Sequence, residues 1–289
     1  MFESVEAFYR PASVREALQM LQRGKGSARI VAGCTDVVVE GGPTVRFLID
    51  ITRAGLNYIR RRGANWAIGA TTTMADLTES NEIRALAGGL LSQAAATCGS
   101  LQIRNMATVG GNMANGSPAA DLAAPLLTLD ATAVIADASG RHRMPLAHYL
   151  VLSRTRALAN SLLVEVTFPD PPSAAHCGWS FQKFGRTALD VSVVNVAAGL
   201  QLDTHRRVKW ARIALGAVAP APVRMPVAEA LMRGRKFDRA LLAEVCASVV
   251  REVHPIGDLR ASAEYRMELS RVLTGRALEE CAARAGCSL

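Results

Sequence analysis

Clustered cysteines are missing from this sequence, and lysines and aromatic residues are scarce. The 289 residues include six cysteines, but no two of them form a C-x-x-C pair, and the five histidines form no H-E-x-x-H motif. Zinc and iron–sulfur sites need clustered thiolates or paired imidazoles. We therefore predict no metal site in this chain.

A long apolar run is also missing. A membrane-spanning helix needs about 18 or more consecutive apolar residues, and no such run occurs. The opening segment, MFESVEAFYRPAS, carries acidic side chains at Glu3 and Glu6 and has none of the apolar stretch of a signal peptide. We predict a cytoplasmic protein without a membrane span.

The charge of the chain is unbalanced, with a formal net charge of +8 and only four lysines among 33 basic residues. Residues 201–240 hold nine Lys or Arg against three Asp or Glu. These cations are scattered among apolar residues with little aromatic interleaving for stacking bases, so we predict no nucleic-acid binding. A solvated basic face and a surface that meets an acidic protein partner remain the two interpretations.

Secondary-structure patterns mix helices and strands without a regular βαβ rhythm. The segment ASVREALQMLQRG predicts a helix with Ser13 as N-cap, Glu16 in a capping box and Gly24 as terminator. Further patterns predict strands at 28–33, 45–51, 131–137 and 162–168, a strand entering a Thr-rich turn at 66–77, and a helix interrupted by a glycine pair at 85–99. This mixture predicts an α+β fold.

A proline cluster, PDPPS at 169–173, predicts a linker, because clustered prolines end both helices and strands. We place one domain at residues 1–172 and a second at residues 173–289. The second domain is predicted to contain three strands, at 178–184, 191–202 and 209–217. Beyond Val227 the pattern is helical, with breaks at Gly234, Pro255 and Gly275.

Two glycine-rich segments follow strand-like runs: IVAGCTDV at 30–37 and TVGGNMANGSPAAD at 108–121. Neither matches G-x-x-x-x-G-K-[ST] or G-x-G-x-x-G, and neither has the lysine of a phosphoryl-transfer loop. Clustered backbone N–H groups with neutral hydroxyl and amide side chains suit a phosphate that is held but not transferred, such as the pyrophosphate of a dinucleotide. The alternative is two tight connections without a ligand.

Ser117 and Pro118 of the second segment indicate the start of a helix, because Ser is a favoured N-cap and Pro a favoured first helical residue. A helix is therefore predicted to begin there, shortened or kinked at Pro125, with an N-terminus that favours anions. Asp121 falls in its first turn. The spacing alone favours a helix-dipole partner over a carboxylate that accepts hydrogen bonds from ribose or ribityl hydroxyls.

Five segments resemble, in order and spacing, the FAD-binding medium subunit of the xanthine dehydrogenase and carbon monoxide dehydrogenase family of molybdenum hydroxylases. The segments are AGCTDVVVE, LQIRNMATVGGNMANGSPAADLAAPLLTLDA, FGRTALDVSVVNVA, GAVAPAPVRMPVAEALMRG and LRASAEYRMEL. The last of them is most similar to bacterial xanthine dehydrogenase FAD-binding subunits. The resemblance covers essentially the whole chain.

The resemblance implies a fold and a set of partners. The fold is a two-lobed α+β FAD-binding domain, followed by a smaller C-terminal domain of a three-stranded antiparallel sheet and a helical bundle. FAD is the implied cofactor of this chain, whereas molybdopterin and 2Fe-2S clusters belong to a large and a small partner subunit, with a dimer of heterotrimers as one possible assembly. Electrons then pass from the 2Fe-2S clusters through this subunit to NAD or another acceptor.

The resemblance also implies cofactor contacts but no catalytic acid or base and no metal ligand. The implied FAD contacts are Ile30, Val31, Ala32, Gly33, Cys34, Thr35, Asp36, Val37, Thr108, Val109, Gly110, Gly111, Asn112, Ser117, Asp121, Leu163 and Lys183. Cys34 stands where most bacterial members have glycine. A positive φ at that position would strain a cysteine by about 1–3 kcal/mol.

Two other functions compete with an electron-transfer flavoprotein subunit. A stand-alone FAD-dependent oxidoreductase would need a catalytic base or a covalent flavin attachment, and no motif indicates either. A basic binding module without FAD is disfavoured by the two glycine-rich segments, which keep the family pattern apart from Cys34.

Overall fold

The computed structural model describes residues 4–172 and 176–287. Within them the chain forms two compact units. Unit 1 comprises Met1–Asp76, Ser100–Gly116 and Asp130–Asp170, and unit 2 comprises Leu77–Gly99, Ser117–Leu129 and Pro171–Leu289. The boundary predicted after residue 172, and Ser173 of the predicted linker, fall at residues 173–175, outside the described residues.

Twelve strands and twelve α-helices are defined in the described residues, and none of these helices is long and apolar enough to cross a membrane. The strands are β1 (Ala7–Tyr9), β2 (Ala28–Val31), β3 (Phe47–Asp50), β4 (Ile59–Arg62), β5 (Asn65–Gly69), β6 (Thr132–Asp137), β7 (Gly140–Pro145), β8 (Leu162–Pro169), β9 (Cys177–Phe184), β10 (Val194–Leu202), β11 (Val208–Gly216) and β12 (Val223–Arg224). The helices are α1 (Val14–Arg23), α2 (Val37–Glu40), α3 (Met74–Glu79), α4 (Asn81–Ala85), α5 (Leu90–Ala96), α6 (Leu101–Met106), α7 (Val109–Ala114), α8 (Ala123–Thr128), α9 (Leu146–Ser153), α10 (Pro226–Met232), α11 (Arg239–Glu252) and α12 (Ala263–Arg284).

Unit 1 contains two sheets. A parallel sheet has the order β1-β3-β2, and an antiparallel sheet has the order β4-β5-β8-β6-β7. The predicted first helix is confirmed: Ser13 accepts the N–H of Glu16, and the helix ends at Gly24. Its Ala17 and Leu21 are buried in one apolar core with Ile49 of β3 and Val164 of β8. Helix α1 thus contributes to a core that it shares with both sheets.

Unit 2 has an antiparallel sheet of order β12-β11-β10-β9, so the predicted three strands are in fact four. The additional strand, β12, has only two residues, too few for an alternating pattern in the sequence. Helices α10, α11 and α12 cover the sheet and share its apolar core. Helix α12 lies so close to β9 that a side chain at Gly178 would overlap the backbone of Cys281.

The break predicted at Gly275 is wrong, since α12 continues through it from Ala263 to Arg284. A Cβ at Gly275 would lie 3.5 Å from Sγ of Cys246 on α11, an ordinary contact. One glycine costs a helix about 1 kcal/mol. Packing of α12 on the sheet and on α11 outweighs that cost.

A buried arginine joins the start of α12 to the sheet of unit 2. Arg266 is 4% exposed, and its guanidinium donates to the Val193 carbonyl at 2.5 Å and to Oδ1 of Asp258 at 2.7 Å. Burial alone would raise the pKa of Asp258, but the N–H of Arg260 and the Arg266 guanidinium outweigh it and lower the pKa to about 2. Asp258 therefore stays ionised and neutralises a buried cation.

We expect Asp258→Asn to lower the free energy of unfolding by about 1 kcal/mol at neutral pH. Because the pKa of Asp258 is lower in the folded state, its contribution is present above the unfolded-state pKa of about 3.9 and is lost as the pH falls toward about 2. Urea unfolding of wild type and variant at a series of pH values would measure this. The control is Glu268→Gln, which removes an exposed pair with Arg271; an equal loss in both variants contradicts the prediction.

Candidate functional site

The connection between β2 and α2 presents a row of unpaired backbone donors. Among the described residues, the N–H groups of Gly33, Cys34, Thr35 and Asp36 make no hydrogen bond. Cys34 has φ +59°, in the left-handed region, and Asp36 lies in the right-handed region. Successive N–H groups in such a turn form a concavity that binds anions. We call these four groups the amide nest.

The side chains of the amide nest include a thiol and a carboxylate but no lysine or arginine. Burial, and then the charge of Asp50, raise the pKa of the Cys34 thiol, so it stays neutral. The pKa of Asp36 is also raised, first by burial and then by Glu40. Oδ2 of Asp36 accepts a hydrogen bond from the Asn115 amide at 3.2 Å. A run of backbone donors without a lysine suits a phosphate that is bound but not transferred.

The second glycine-rich segment is a helix and not an open turn. Thr108 caps α7, and its Oγ1 accepts the N–H of Gly111 at 3.0 Å. The N–H groups of Val109, Gly110 and Asn112 donate to carbonyls of Thr72, Ala70 and Thr108. The sequence predicted accessible N–H groups in the segment 108–121, and the prediction is wrong for residues 109–112, because the protein itself uses all four of these N–H groups.

The glycines of this region allow backbones to touch. A Cβ at Gly110 would lie 2.6 Å from Cβ and from the carbonyl oxygen of Ala70, so α7 can lie against the end of β5 only with glycine there. A Cβ at Gly33 would overlap the carbonyl oxygen of Met106. The first segment and the start of the second are thereby brought together in unit 1, with the amide nest beside the chain that leads into α7.

Unit 2 holds a second polar cluster around Asp121. Nζ of Lys183 lies 3.0 and 3.1 Å from the two carboxylate oxygens of Asp121, and it donates to the Thr97 carbonyl at 2.8 Å. Both side chains are about nine-tenths buried. Burial raises the pKa of Asp121, whereas Lys183 and the hydroxyl of Ser192 oppose the rise. This is a buried ion pair with further hydrogen bonds on the carboxylate.

The sequence analysis missed two members of this cluster. Ser192 donates to Oδ1 of Asp121 at 2.9 Å and accepts from the Asn195 amide at 3.1 Å. Asn195 of β10 pairs with Lys183 on β9 and with Gly216 on β11. A Cβ at Gly216 would lie 2.6 Å from Oδ1 of Asn195. The available signal was two polar residues in the otherwise apolar run VSVVNVA.

The remaining predicted contacts lie beside the amide nest in the chain or elsewhere in unit 1. Ile30 and Val31 are part of β2, which precedes the nest, and Val37 is the first residue of α2, which follows it. Leu163 of β8 is 6% exposed and pairs with Ile135. In the described residues, no group of three or more His, Cys, Asp or Glu is arranged to hold a metal ion.

The helix predicted at Ser117 is wrong. Ser117 accepts the N–H of Ala119 in a turn, and α8 begins only at Ala123. The carbonyl of Pro118, which a helix would use for its own bond, instead accepts the N–H of Ala217 at 2.6 Å. Pro125 does not end the helix either, because it is the third residue of α8, which continues to Thr128. The anion-favouring helix N-terminus is not at Ser117.

We expect Gly110→Ala to lower the free energy of unfolding by about 2 kcal/mol, because the new methyl overlaps Ala70. Gly111→Ala is the matched control in the same helix. Its Cβ would meet only Oγ1 of Thr108, at 3.0 Å, and alanine favours the helix by up to about 1 kcal/mol. Denaturant unfolding of both variants tests this, and equal stabilities would refute the assigned contact.

We expect Lys183→Met to lower the free energy of unfolding by about 3 kcal/mol, because Asp121 remains buried without its cation. Loss of Lys183 raises the pKa of Asp121 further, so the deficit is largest above that pKa and shrinks as the pH falls and Asp121 protonates. Unfolding of wild type and variant at a series of pH values measures the trend. Lys183→Met combined with Asp121→Asn should recover part of the loss, and no recovery would argue against the pair.

Two family models match the chain. One describes the FAD binding domain in molybdopterin dehydrogenase and matches residues 2–171. The other describes the CO dehydrogenase flavoprotein C-terminal domain and matches residues 179–281. Together they cover most of the sequence, in the order that the resemblance predicted.

Individual relatives match over nearly their whole length. The xanthine dehydrogenase FAD-binding subunit of Escherichia coli O157:H7 is 31% identical, with 98% of each chain covered. The 6-hydroxypseudooxynicotine dehydrogenase complex subunit alpha of Paenarthrobacter nicotinovorans is 32% identical, with 94% of this chain and 93% of that protein covered. A solved carbon monoxide dehydrogenase from Hydrogenophaga pseudoflava has a TM-score of 0.91 at 30% identity, covering 98% of this chain and 99% of that one.

These matches confirm the predicted resemblance and the mixed helix-and-sheet fold. They extend through both units and include relatives above 30% identity. The chain therefore belongs to the FAD-binding medium subunits of the xanthine dehydrogenase and carbon monoxide dehydrogenase family of molybdenum hydroxylases, and it is the flavoprotein subunit of an oxidoreductase.

Proposed function

We propose that this chain is an electron-transfer subunit that takes electrons from the 2Fe-2S clusters of a small partner subunit and passes them to NAD or another acceptor. A large molybdopterin subunit would oxidise the substrate. The amide nest is the observation that carries the proposal, because its four unpaired N–H groups fit the diphosphate of FAD without a transfer lysine. When bound, FAD supplies the redox chemistry.

The residues of the chain would then hold and orient the cofactor. Gly33, Cys34, Thr35 and Asp36 donate N–H groups to the diphosphate. Each charge-assisted hydrogen bond of this kind contributes about 1.5–3 kcal/mol. Ile30, Val31, Ala32 and Val37 are proposed contacts on either side of the nest. We keep the other contacts that the resemblance implied, namely Thr108, Val109, Gly110, Gly111, Asn112, Ser117, Asp121, Leu163 and Lys183.

The contact at 108–112 would differ in kind from that of the amide nest. Because the N–H groups of Val109, Gly110, Gly111 and Asn112 are used within the protein, this segment would contact FAD through side chains or through the surface of α7. Gly111 is exposed and offers such a surface without a side chain.

We also keep the division into residues 1–172 and 173–289 as the proposed domain organisation.

A stand-alone FAD-dependent oxidoreductase is the competing function. It predicts reduction of the flavin by a small substrate in the absence of partner subunits. Our proposal predicts that substrate reduces the flavin only in the assembled complex, and that added NAD then yields NADH if NAD is the acceptor. Anaerobic flavin absorbance, recorded with the isolated chain and with the complex, separates the two.

We expect the purified chain to be yellow and to release FAD, not FMN, on denaturation. Gly33→Val should lose the cofactor, because the new side chain overlaps the Met106 carbonyl and displaces the amide nest. Cys34→Gly is the matched control: glycine adopts a positive φ freely and keeps its N–H, so this variant should retain FAD. Chromatography of the released cofactor gives FAD per chain. Wild-type retention in Gly33→Val, or a wild type that FAD cannot reconstitute, would overturn the proposal.

A further inference from the structure

Most of the cations that make residues 201–240 basic form no ion pair among the described residues, although the guanidinium of Arg207 donates to the Gly234 carbonyl at 3.1 Å. Arg212 donates to the Thr128 carbonyl at 3.1 Å, Arg224 pairs with Glu229 at 2.7 Å, and Arg235 pairs with Glu244 at 2.8 Å. The other six are exposed, and none of them pairs with a carboxylate in the part of the chain that the structure describes. We call these six the basic patch: Arg206, Arg207, Lys209, Arg233, Lys236 and Arg239.

Backbone hydrogen bonds bring the two segments of the basic patch together. The β10–β11 turn and the loop between α10 and α11 pair where the N–H of Gly234 donates to the Val208 carbonyl at 2.8 Å and the N–H of Val208 to the Arg235 carbonyl at 2.9 Å. The N–H of Phe237 donates to the Arg206 carbonyl, and its ring is buried. The cations therefore stand on a fixed surface of unit 2.

The acidic residues of the same segments accept hydrogen bonds from backbone N–H groups. Oδ1 of Asp203 accepts the N–H groups of His205 and Arg207, both at 2.8 Å. Asp238 caps α11 by accepting the N–H of Leu241 at 2.9 Å. Both carboxylates are thus held in the turn and at the cap, and six cations face solvent against these two anions. Concentrating like charge on a fixed surface costs stability unless a partner of opposite charge covers it.

We propose that the basic patch is a docking surface for an acidic face of another subunit of the same complex. This rests on the proposed function only in assuming that such partner subunits exist. Four of the six cations are arginines, which form bidentate bonds with carboxylates and are enriched in protein interfaces, whereas lysine is depleted there.

A nucleic acid fits the basic patch less well than an acidic protein does. Base stacking needs exposed aromatic rings, and the rings of these two segments are engaged. Phe237 is buried, while Trp210 packs against Trp179 at 5.2 Å and donates to Gln201 at 2.7 Å. An acidic protein surface needs only cations at fixed positions, which the patch provides.

The scarcity of lysine allows a direct test by cross-linking. The intact complex, purified from its native host, is treated with a water-soluble carbodiimide, which joins lysine amines to carboxylates in contact. The chain has four lysines: Lys209 and Lys236 belong to the patch, Lys183 is buried, and Lys25 is exposed on unit 1. We expect links from Lys209 or Lys236 to Asp or Glu of a partner subunit and none from Lys25.

Charge reversal tests the same surface by affinity. The variant Lys209→Glu/Lys236→Glu/Arg239→Glu is compared with the control Arg15→Glu/Arg23→Glu/Lys25→Glu, which reverses three exposed charges on or beside α1. We expect the patch variant to bind the partner subunits about tenfold more weakly at low salt, with the difference fading near 1 M salt, where the Debye length is about 3 Å. The control should bind as wild type does at every salt concentration.

The results separate this proposal from its alternatives. Equal binding by the two variants, or partner links from Lys25 but not from Lys209 and Lys236, would overturn it. Tight binding of duplex DNA by the wild type that the patch variant loses, without protein cross-links, would assign the surface to nucleic acid instead. FAD content is measured on the same samples: a chain without FAD that still cross-links through the patch contradicts the proposed function and supports the docking surface.

Discussion

The close approach of backbone to backbone at Gly33 is the constraint on which the rest of the candidate site depends. The Met106 carbonyl occupies the space that any side chain at this position would need. Gly110 of α7 lies close to Ala70, so a side chain at Gly110 would overlap that residue. The chain from Met106 to Gly110 is therefore held between two backbones. This explains glycine at 33 and 110 without reference to a ligand.

The amide nest is a consequence of that packing and of the left-handed conformation at Cys34. A non-glycine residue with φ +59° costs about 1–3 kcal/mol and persists only where the surroundings determine it. What the conformation provides is a run of four N–H groups without partners inside the protein. Each of them can bond to water in the free chain, and an anion can replace several waters at once. Strain and binding capacity thus have the same structural origin.

Prediction from the sequence succeeded for elements whose hydrogen-bond partners lie within a few residues. It failed for elements whose conformation depends on partners far away in the chain. Ser13 caps α1 with an N–H three residues away, so the pattern is visible in the sequence. Ser117 and Pro118 show an equally good local pattern, yet the Pro118 carbonyl bonds to Ala217, which no local pattern contains. The helix α7 was missed for the same reason, because its first N–H groups are satisfied by Thr72 and Ala70 of an earlier turn. The nest was predicted at the first segment, where no such partner exists among the described residues.

The cluster at Asp121 shows how a family motif can carry structure as well as a cofactor contact. Lys183 and Asn195 are cross-strand neighbours, and Ser192 precedes Asn195 by three residues, so one hairpin supplies every side-chain partner named here for the carboxylate. A buried ion pair gains little net stability over an apolar pair but is costly to break. Resemblance at these positions is therefore expected from folding alone, and it does not by itself locate the flavin. The unpaired donors of the amide nest have no comparable role within the fold, and for that reason they carry the functional argument.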